Sequence, residues 1–473
     1  MYRFYINNTE NEYHYMELAR VFLPDDSFEV IAYTGNKTAK LKDLLRDGSY
    51  LINAEGSDDR DEVKRELYRL LSDLTGEAPP WGTLTGVRPL KPALEEARRS
   101  SVTEMRSAIE LKYLMSKSKS SLIADIADYQ LRNVSGRPYD KASLYIGIPF
   151  CPTRCSYCSF ASNVASAADI ESYLNDLLKE IEYSGSLAVQ HGVQLESIYI
   201  GGGTPTTLEA GQLELLINTV SDSFGIDASA LEFTVEAGRP DTITALKLET
   251  LKSLGIDRIS INPQSMKDET LRAIGREHTA DDIRQGFLLA RDAGFDVISA
   301  DLIAGLPGED EHDFEGSLKE VIELGAENIT VHTLSVKKGS RLRDSDPEYY
   351  RRNTATVSNM LDISRDMLTE AGFCPYYIYR QKHQMGALEN VGWCKPGKHS
   401  IYNIRIMEDK QTIIGLGAGA VGKVYYPDGD RLERIANVSN YKIYSERFDE
   451  MLARKDEYYD QHEIGGKYGY QST

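Results

Sequence analysis

Between Ser143 and about Gly372 the chain alternates short β-branched runs with stretches of helical period, and that alternation restricts its possible folds more than any other feature. The runs expected as strands are Leu144–Ile148, Ser197–Ile200, Glu232–Val235, Arg258–Ile261, Asp296–Ala300 and Asn328–His332. Between them lie amphipathic stretches such as Asp169–Leu187, Leu208–Ser223, Thr242–Leu254 and Asp281–Ala293. Strand, helix and strand in succession with short connections make parallel pairs with right-handed crossovers. Six such units are two short of a closed eight-unit barrel. The expectation is an α/β fold built on an open six-unit (β/α)6 partial barrel. A doubly wound sheet is the second choice.

The flanks read differently. Residues 1–140 are expected as a small α+β domain: strand Arg3–Ile6, helix Glu10–Val21, strand Phe28–Tyr33, helix Asp58–Thr75, then helix to about Arg132. The breaker-rich residues 133–140 read as a hinge into a barrel spanning 141–372. No catalytic motif stands out in this first domain. After Gly372 the alternation stops. Tyr376–Tyr379, Ile401–Met407 and Thr412–Leu416 read as strands and Asn440–Ala453 as a closing helix, so residues 373–473 are expected as a cap over the barrel mouth.

Charge and cysteine usage narrow the partners. Acidic residues outnumber basic ones 73 to 54, a formal charge of −19 that argues against nucleic acid or an anionic membrane as the main partner. A local basic pocket for a carboxylate substrate is compatible with it. No eighteen-residue apolar run is present, and the opening residues lack a signal-peptide core, so no membrane span is expected and the location read is cytoplasmic. Five cysteines, three clustered and two distant, do not form a secreted disulfide framework.

The clustered three are Cys151-Pro-Thr-Arg-Cys155-Ser-Tyr-Cys158, directly after the first expected strand. Three thiolates hold three irons of a four-iron cluster and leave the fourth open to a ligand other than protein. Zinc, the main alternative, wants four ligands, and His191 is the nearest downstream histidine. Other strand ends carry polar candidates: Gly201-Gly-Gly-Thr-Pro-Thr206 after the second, Glu236 at the third, Asn262-Pro-Gln264 at the fourth and Asp301 at the fifth. Carboxyl ends of barrel strands form the reactive face, so five elements converge on one rim. Three successive glycines and Thr204 suit a cradle for a polar head group, although a tight strand-to-helix turn would look the same. Gly417-Ala-Gly-Ala-Val-Gly422 fits the dinucleotide fingerprint formally, but strand rather than helix follows it, so a close-packed turn is the reading.

These residues resemble the radical S-adenosylmethionine (SAM) superfamily over roughly residues 143–425, and within it the oxygen-independent coproporphyrinogen III oxidase family, HemZ type. The phrases that carry the likeness are Tyr145-Ile-Gly-Ile-Pro-Phe-Cys151, Cys155-Ser-Tyr-Cys158-Ser-Phe160, Gly201–Thr206, Arg258-Ile-Ser-Ile-Asn-Pro-Gln-Ser265, Asp301-Leu-Ile-Ala-Gly-Leu-Pro307 and Gly415-Leu-Gly-Ala-Gly-Ala420. The resemblance implies that Cys151, Cys155 and Cys158 hold a 4Fe-4S cluster. It implies that Tyr145, Gly202 and Glu236 seat a first SAM, with Tyr145 and Glu236 the candidate catalytic residues. Tyr157, Gly203, Thr204, Gln264, Arg276 and Asp301 would seat a second.

The chemistry implied is reductive cleavage of SAM to methionine and a 5′-deoxyadenosyl radical. That radical takes a hydrogen from a propionate of a tetrapyrrole, carbon dioxide leaves and a vinyl group remains. With only Cys374 and Cys394 left over, electron donor and acceptor are expected to be external, and the chain a monomer. The sequence departs from the oxidases at Phe160, where they carry a further cysteine, and at Gly147, where many carry histidine. Phe160 also resembles the related heme chaperones, so a heme carrier is the alternative, with another radical SAM reaction on a tetrapyrrole beside it. Those chaperones have a His-Asn-x-x-Tyr-Trp heme-ligand phrase; here the matching stretch is Glu389-Asn-Val-Gly-Trp393.

Overall fold

The computed structural model describes every residue except 9, 34–47, 161, 338, 347–348, 350–351, 382–383 and 461–473, the last of which fall in the expected cap. Its contacts divide the chain into two units, Met1–Leu131 with Ile378–Glu389, and Arg132–Tyr377 with Asn390–Thr473.

In the first unit β1 (Tyr2–Ile6), β2 (Phe28–Ala32) and β3 (Ser49–Ile52) form a parallel sheet in the order β2-β1-β3. Helix Glu12–Phe22 makes the crossover between the first two. The alternating Phe4 and Ile6 of β1 pack with Tyr15, Leu18, Leu67 and Leu71 from helices Glu12–Phe22 and Arg60–Thr75. Asp59 caps the second of these helices and Gly76, at φ 73°, ends it. Three further helices, Leu90–Ala97, Val102–Tyr113 and Lys117–Asn133, complete the segment. The strap Ile378–Glu389 is sewn into this unit by charge. Glu389 accepts from Trp81 Nε1 at 2.7 Å and pairs with Lys119, while Arg380 donates to the carbonyls of Leu84 and Ala387.

The second unit carries all six strands expected of the barrel: β4 (Ala142–Ile148), β5 (Leu195–Gly202), β6 (Glu232–Glu236), β7 (Arg258–Ser260), β8 (Val297–Ala304) and β9 (Asn328–Thr333). They are parallel and adjacent in sequence order. Helices Ala167–Gln190, Ala210–Phe224, Ala245–Ser253 and Ala280–Asp292 pack each against the next, forming one layer outside the strands. A doubly wound sheet needs a reversal of strand order, and these six have none. The architecture is the partial-barrel α/β fold.

Residues beyond 372 extend this sheet at both edges. β10 (Cys374–Tyr379) and β11 (Asn390–Cys394) lie beyond β9; β12 (Thr412–Leu416), β13 (Val421–Tyr426) and β14 (Arg431–Ala436) lie beyond β4. The closing segment is two helices, Tyr441–Glu446 and Phe448–Asp460.

One expected strand is a helix. Ile401–Glu408 reads as alternating because Ile404 and Ile406 flank Arg405, but Ser400 caps it and the Glu232 carboxylate accepts from Ile401 and Tyr402 amides at 2.7 and 2.9 Å. An anion from a distant strand thus satisfies the helix amino end. Gly417 and Gly419, at φ 85° and 78°, form a turn that runs into β13, so the fingerprint-like run has no helix after it.

Candidate active site

The site is assembled where β4 to β8 end. The cysteine loop leaves β4 and is pinned on several sides by backbone. Cys151 N donates to Asn163 O at 3.0 Å, Ser156 N to Ile274 O at 2.9 Å, and Leu342 N to Ser156 O at 2.9 Å. Gly275, at φ 79°, lets the loop rest on it: a Cβ there would stand 3.3 Å from Arg154 O. All three cysteines are free thiols. Thr204 Oγ1 lies 3.5 Å from Cys151 Sγ and Arg239 Nη1 lies 3.9 Å from Cys155 Sγ.

Burial pushes the Cys151 thiol up to about 11 and raises Cys158 too, and each is raised further by its neighbouring cysteines. Cys151 and Cys158 therefore share one buried locale with Cys155. Among the described residues no three His, Cys, Asp or Glu side chains stand at metal-ligating geometry. The donor set fits a 4Fe-4S cluster in chemistry: three soft sulfurs on one loop, none tied up in a disulfide, to be gathered as thiolates when metal binds.

The glycine run works by what it lacks. A Cβ on Gly201 would meet Tyr199 at 2.7 Å and Glu236 at 2.9 Å, and one on Gly203 would meet Phe150 O at 2.4 Å. The Gly203 and Thr204 amides donate to Ile148 O and Phe150 O at 2.8 and 2.7 Å, zipping this turn to the cysteine loop. The first two glycines fall within β5 rather than after it, and Gly202, at φ 113°, is where the turn begins.

Glu236 ends β6 as expected. It accepts from Tyr199 hydroxyl at 2.5 Å and from Gly202 N at 3.2 Å. Burial pushes its carboxyl up to about 7; the Tyr199 bond opposes this and the nearby Asp301 charge adds to it. Tyr145 projects from β4 and stacks with Tyr199 and Tyr402 at ring separations of 6.4 Å each, those two lying 4.7 Å apart. Burial first, then the Glu236 charge, push the Tyr145 phenol far up, so it stays a neutral donor.

The remaining expected residues gather on the same rim. Gln264 holds a left-handed φ of 69° between its own amide's bond to Asp301 O and the Ile303 amide's bond to its carbonyl. A side chain other than glycine held there marks a position the surroundings over-determine. Arg276 donates to the carbonyls of Asn262 and Gly238, and its charge lies near the buried phenol of Tyr157, which burial keeps neutral. Asp301 stands 3.5 Å from His332 Nε2. It lies inside β8 rather than at its end, because Leu302–Ala304 continue the pairing with Val331–Thr333.

Three residues of the site were missed in the sequence. Tyr199 and Tyr402 are two of 29 tyrosines and carry no local signal. Arg239, three residues after Glu236, carried the position signal but was overlooked. At Gly147 a Cβ would stand 3.1 Å from Ala418 O, a tight approach that glycine avoids.

Residues 145–321 match the Radical SAM superfamily model. The chain is 43% identical over 408 residues to an oxygen-independent coproporphyrinogen-III oxidase-like protein, HemZ, of Bacillus subtilis, covering 85% of this chain and 81% of the relative. It is 32% identical over 326 residues to the heme chaperone HemW of the same organism, covering 68% and 79%. Among solved structures, coproporphyrinogen III oxidase HemN of Escherichia coli superposes with a TM-score of 0.53 at 24% identity, over 69% of this chain and 73% of that one.

Proposed function

The chain belongs to the oxygen-independent coproporphyrinogen-III oxidase-like family of the radical SAM superfamily, and on that premise we propose that it converts propionates of coproporphyrinogen III to the vinyl groups of protoporphyrinogen IX. The observation that carries the reading is the joining of the cysteine loop, the glycine turn and the Glu236 carboxylate into one hydrogen-bonded rim.

Cys151, Cys155 and Cys158 would hold the cluster. When bound, cluster and SAM together supply a one-electron cleavage that yields a hydrogen-abstracting radical. The protein's own residues orient and shield. Glu236, with a carboxyl near 7, accepts from hydroxyls such as those of a ribose once it ionises. The neutral Tyr145 phenol donates beside it, and the three stacked tyrosines exclude water from the face below. Gly202 admits a ligand close to the backbone. Gly203, Thr204, Tyr157, Gln264, Arg276 and Asp301 would seat a second SAM. The electron donor and acceptor are external, since Cys394 is buried in β11 and Cys374 starts β10.

A heme carrier on the same scaffold is the second reading, supported by the HemW relatives and by Phe160, two-thirds exposed beside the third cysteine. It is disfavoured by Asn390–Trp393, the segment matching most of the chaperones' heme-ligand phrase, because all four residues are buried within β11. Anaerobic incubation of the reconstituted protein with SAM, reductant and coproporphyrinogen III should release carbon dioxide, 5′-deoxyadenosine and a vinyl product. SAM cleavage without vinyl product, together with a stoichiometric Soret band on heme titration, would reverse the choice. Cys155→Ala should lose both the brown colour and SAM cleavage; a full cluster signal in that variant means the ligands are misassigned.

A further inference from the structure

Arg239 is charged, 3% exposed and seated behind the cysteine loop, and no role assigned so far uses it. Its Nη2 donates to Thr153 Oγ1 at 2.9 Å and to Asp241 Oδ2 at 3.2 Å, its Nε to Asp241 Oδ1 at 3.1 Å, and its Nη1 to Thr153 O at 3.4 Å. The same Nη1 is 3.9 Å from Cys155 Sγ. The turn Pro240–Thr242 puts Arg239 and Asp241 on one side, so their fork-to-fork pairing is local and its geometry is set by the backbone. Behind Asp241, His278 Nδ1 lies 3.5 Å from Oδ1. Burial pushes the Asp241 carboxyl up, but His278 and Arg239 outweigh it and hold it at about 2, so the aspartate is an anion under all ordinary conditions.

We propose that Arg239 sets the reduction potential of the cluster on Cys151, Cys155 and Cys158, its guanidinium aimed at the Cys155 sulfur and held there by Asp241. The proposal rests on the cluster reading of those three cysteines. Reduction adds one electron, and so one negative charge, to the cluster. A buried cation with an N–H directed at a ligating sulfur stabilises the more negative state and raises the potential. Asp241 has the opposite sign and lies farther back, so it tempers the effect while fixing the geometry. Arg239 acts here as a positioning and electrostatic residue and touches no substrate. The alternative is a purely structural brace, in which the bonds to Thr153 hold the loop and the charge is incidental.

The two are separated by a potentiometric titration of the anaerobically reconstituted full chain, followed by the EPR signal of the reduced cluster, with dithionite as titrant. Arg239→Gln should lower the ratio of reduced to oxidised cluster at the wild-type midpoint about tenfold, which for one electron is about 59 mV. Arg239→Lys, which keeps the charge, should recover most of that shift. Asp241→Asn keeps an amide oxygen to accept from Arg239 Nε and removes the negative charge, so it should move the midpoint the other way. Arg239→Gln with full iron and sulfide content and an unmoved midpoint overturns the proposal. Should that variant assemble no cluster, Asp241→Asn decides: an upward shift supports it, and no shift or a downward one overturns it. A wild-type chain that forms no 4Fe-4S cluster overturns the cluster reading and this proposal together, whereas unshifted midpoints on an intact cluster overturn this proposal alone.

Discussion

Two buried glutamates in the second unit, Glu180 behind the sheet and Glu236 on its rim, occupy opposite electrostatic worlds. Glu180 lies in helix Ala167–Gln190 and is fully enclosed. It accepts from Gly417 N at 2.6 Å, Tyr444 hydroxyl at 2.7 Å and Asn437 Nδ2 at 2.8 Å, with Lys455 Nζ at 3.4 Å. Every lone-pair direction is met and a cation neutralises it. Glu236 has two neutral donors, a second carboxylate for a neighbour and, among the described residues, no ion-pair partner. The first arrangement is what holds a fold together; it ties the Gly415–Ala420 turn and the closing helices to helix Ala167–Gln190. The second leaves a charge wanting a partner, and that is the condition for binding one.

The largest test of this contrast is Glu180→Ala. It removes the counter-charge of buried Lys455, which keeps only the neutral acceptors Gly415 O and Asn437 Oδ1, and takes the acceptor from the Gly417 amide and the Tyr444 hydroxyl, so a loss of about 3–5 kcal/mol is expected, read by urea unfolding of the intact chain. A change below about 1 kcal/mol would show that the network is slack and would end the comparison.

Glu236→Gln should behave in the reverse sense. Its folded carboxyl titrates near 7 against an ordinary value of 4.5, so the native state holds the proton more tightly than the unfolded chain does. The stability linked to that proton is complete below pH 4.5 and is lost as the pH rises through 7. By pH 8 the ionised wild type has given up on the order of 3 kcal/mol relative to the neutral variant. Glu236→Gln should therefore match wild type at low pH, exceed it in urea resistance at pH 8, and lose SAM binding. A variant less stable than wild type at pH 8 would place Glu236 in the same class as Glu180.

Reading these regions from the chain alone succeeds where local pattern is decisive and fails where distant groups decide. Six strands were legible because each is a β-branched run bounded by breakers, and the rim residues because they follow those runs directly. Glu180 was readable in principle: it interrupts the apolar stripe of Tyr173, Leu177 and Ile181, and a carboxylate there demands a partner. The partner, Lys455, is 275 positions further on and nothing local announces it. The helix at Ile401–Glu408 failed for the same reason, since its decisive cap is Glu232 from β6. Tyr199 and Tyr402 come together only because β5 and that helix meet.

The smallest effect, and the sharpest reading of the rim, belongs to the Tyr199 hydroxyl. It is one of only two donors to Glu236 and holds the carboxyl below where burial alone would put it. Tyr199→Phe keeps the ring stacked on Tyr402 and removes just that bond, a change of about 1 kcal/mol. With 1.36 kcal/mol to the pH unit, the midpoint for SAM binding should move upward by roughly 0.7 units, with the high-pH plateau retained. Tyr402→Phe shares the stack but makes no bond to Glu236, so its midpoint should stay in place. Equal shifts in both variants would assign the carboxyl's behaviour to the tyrosine stack as a whole. A downward shift in Tyr199→Phe would mean that the ionised form of Glu236 is held by groups other than its hydrogen-bond donors.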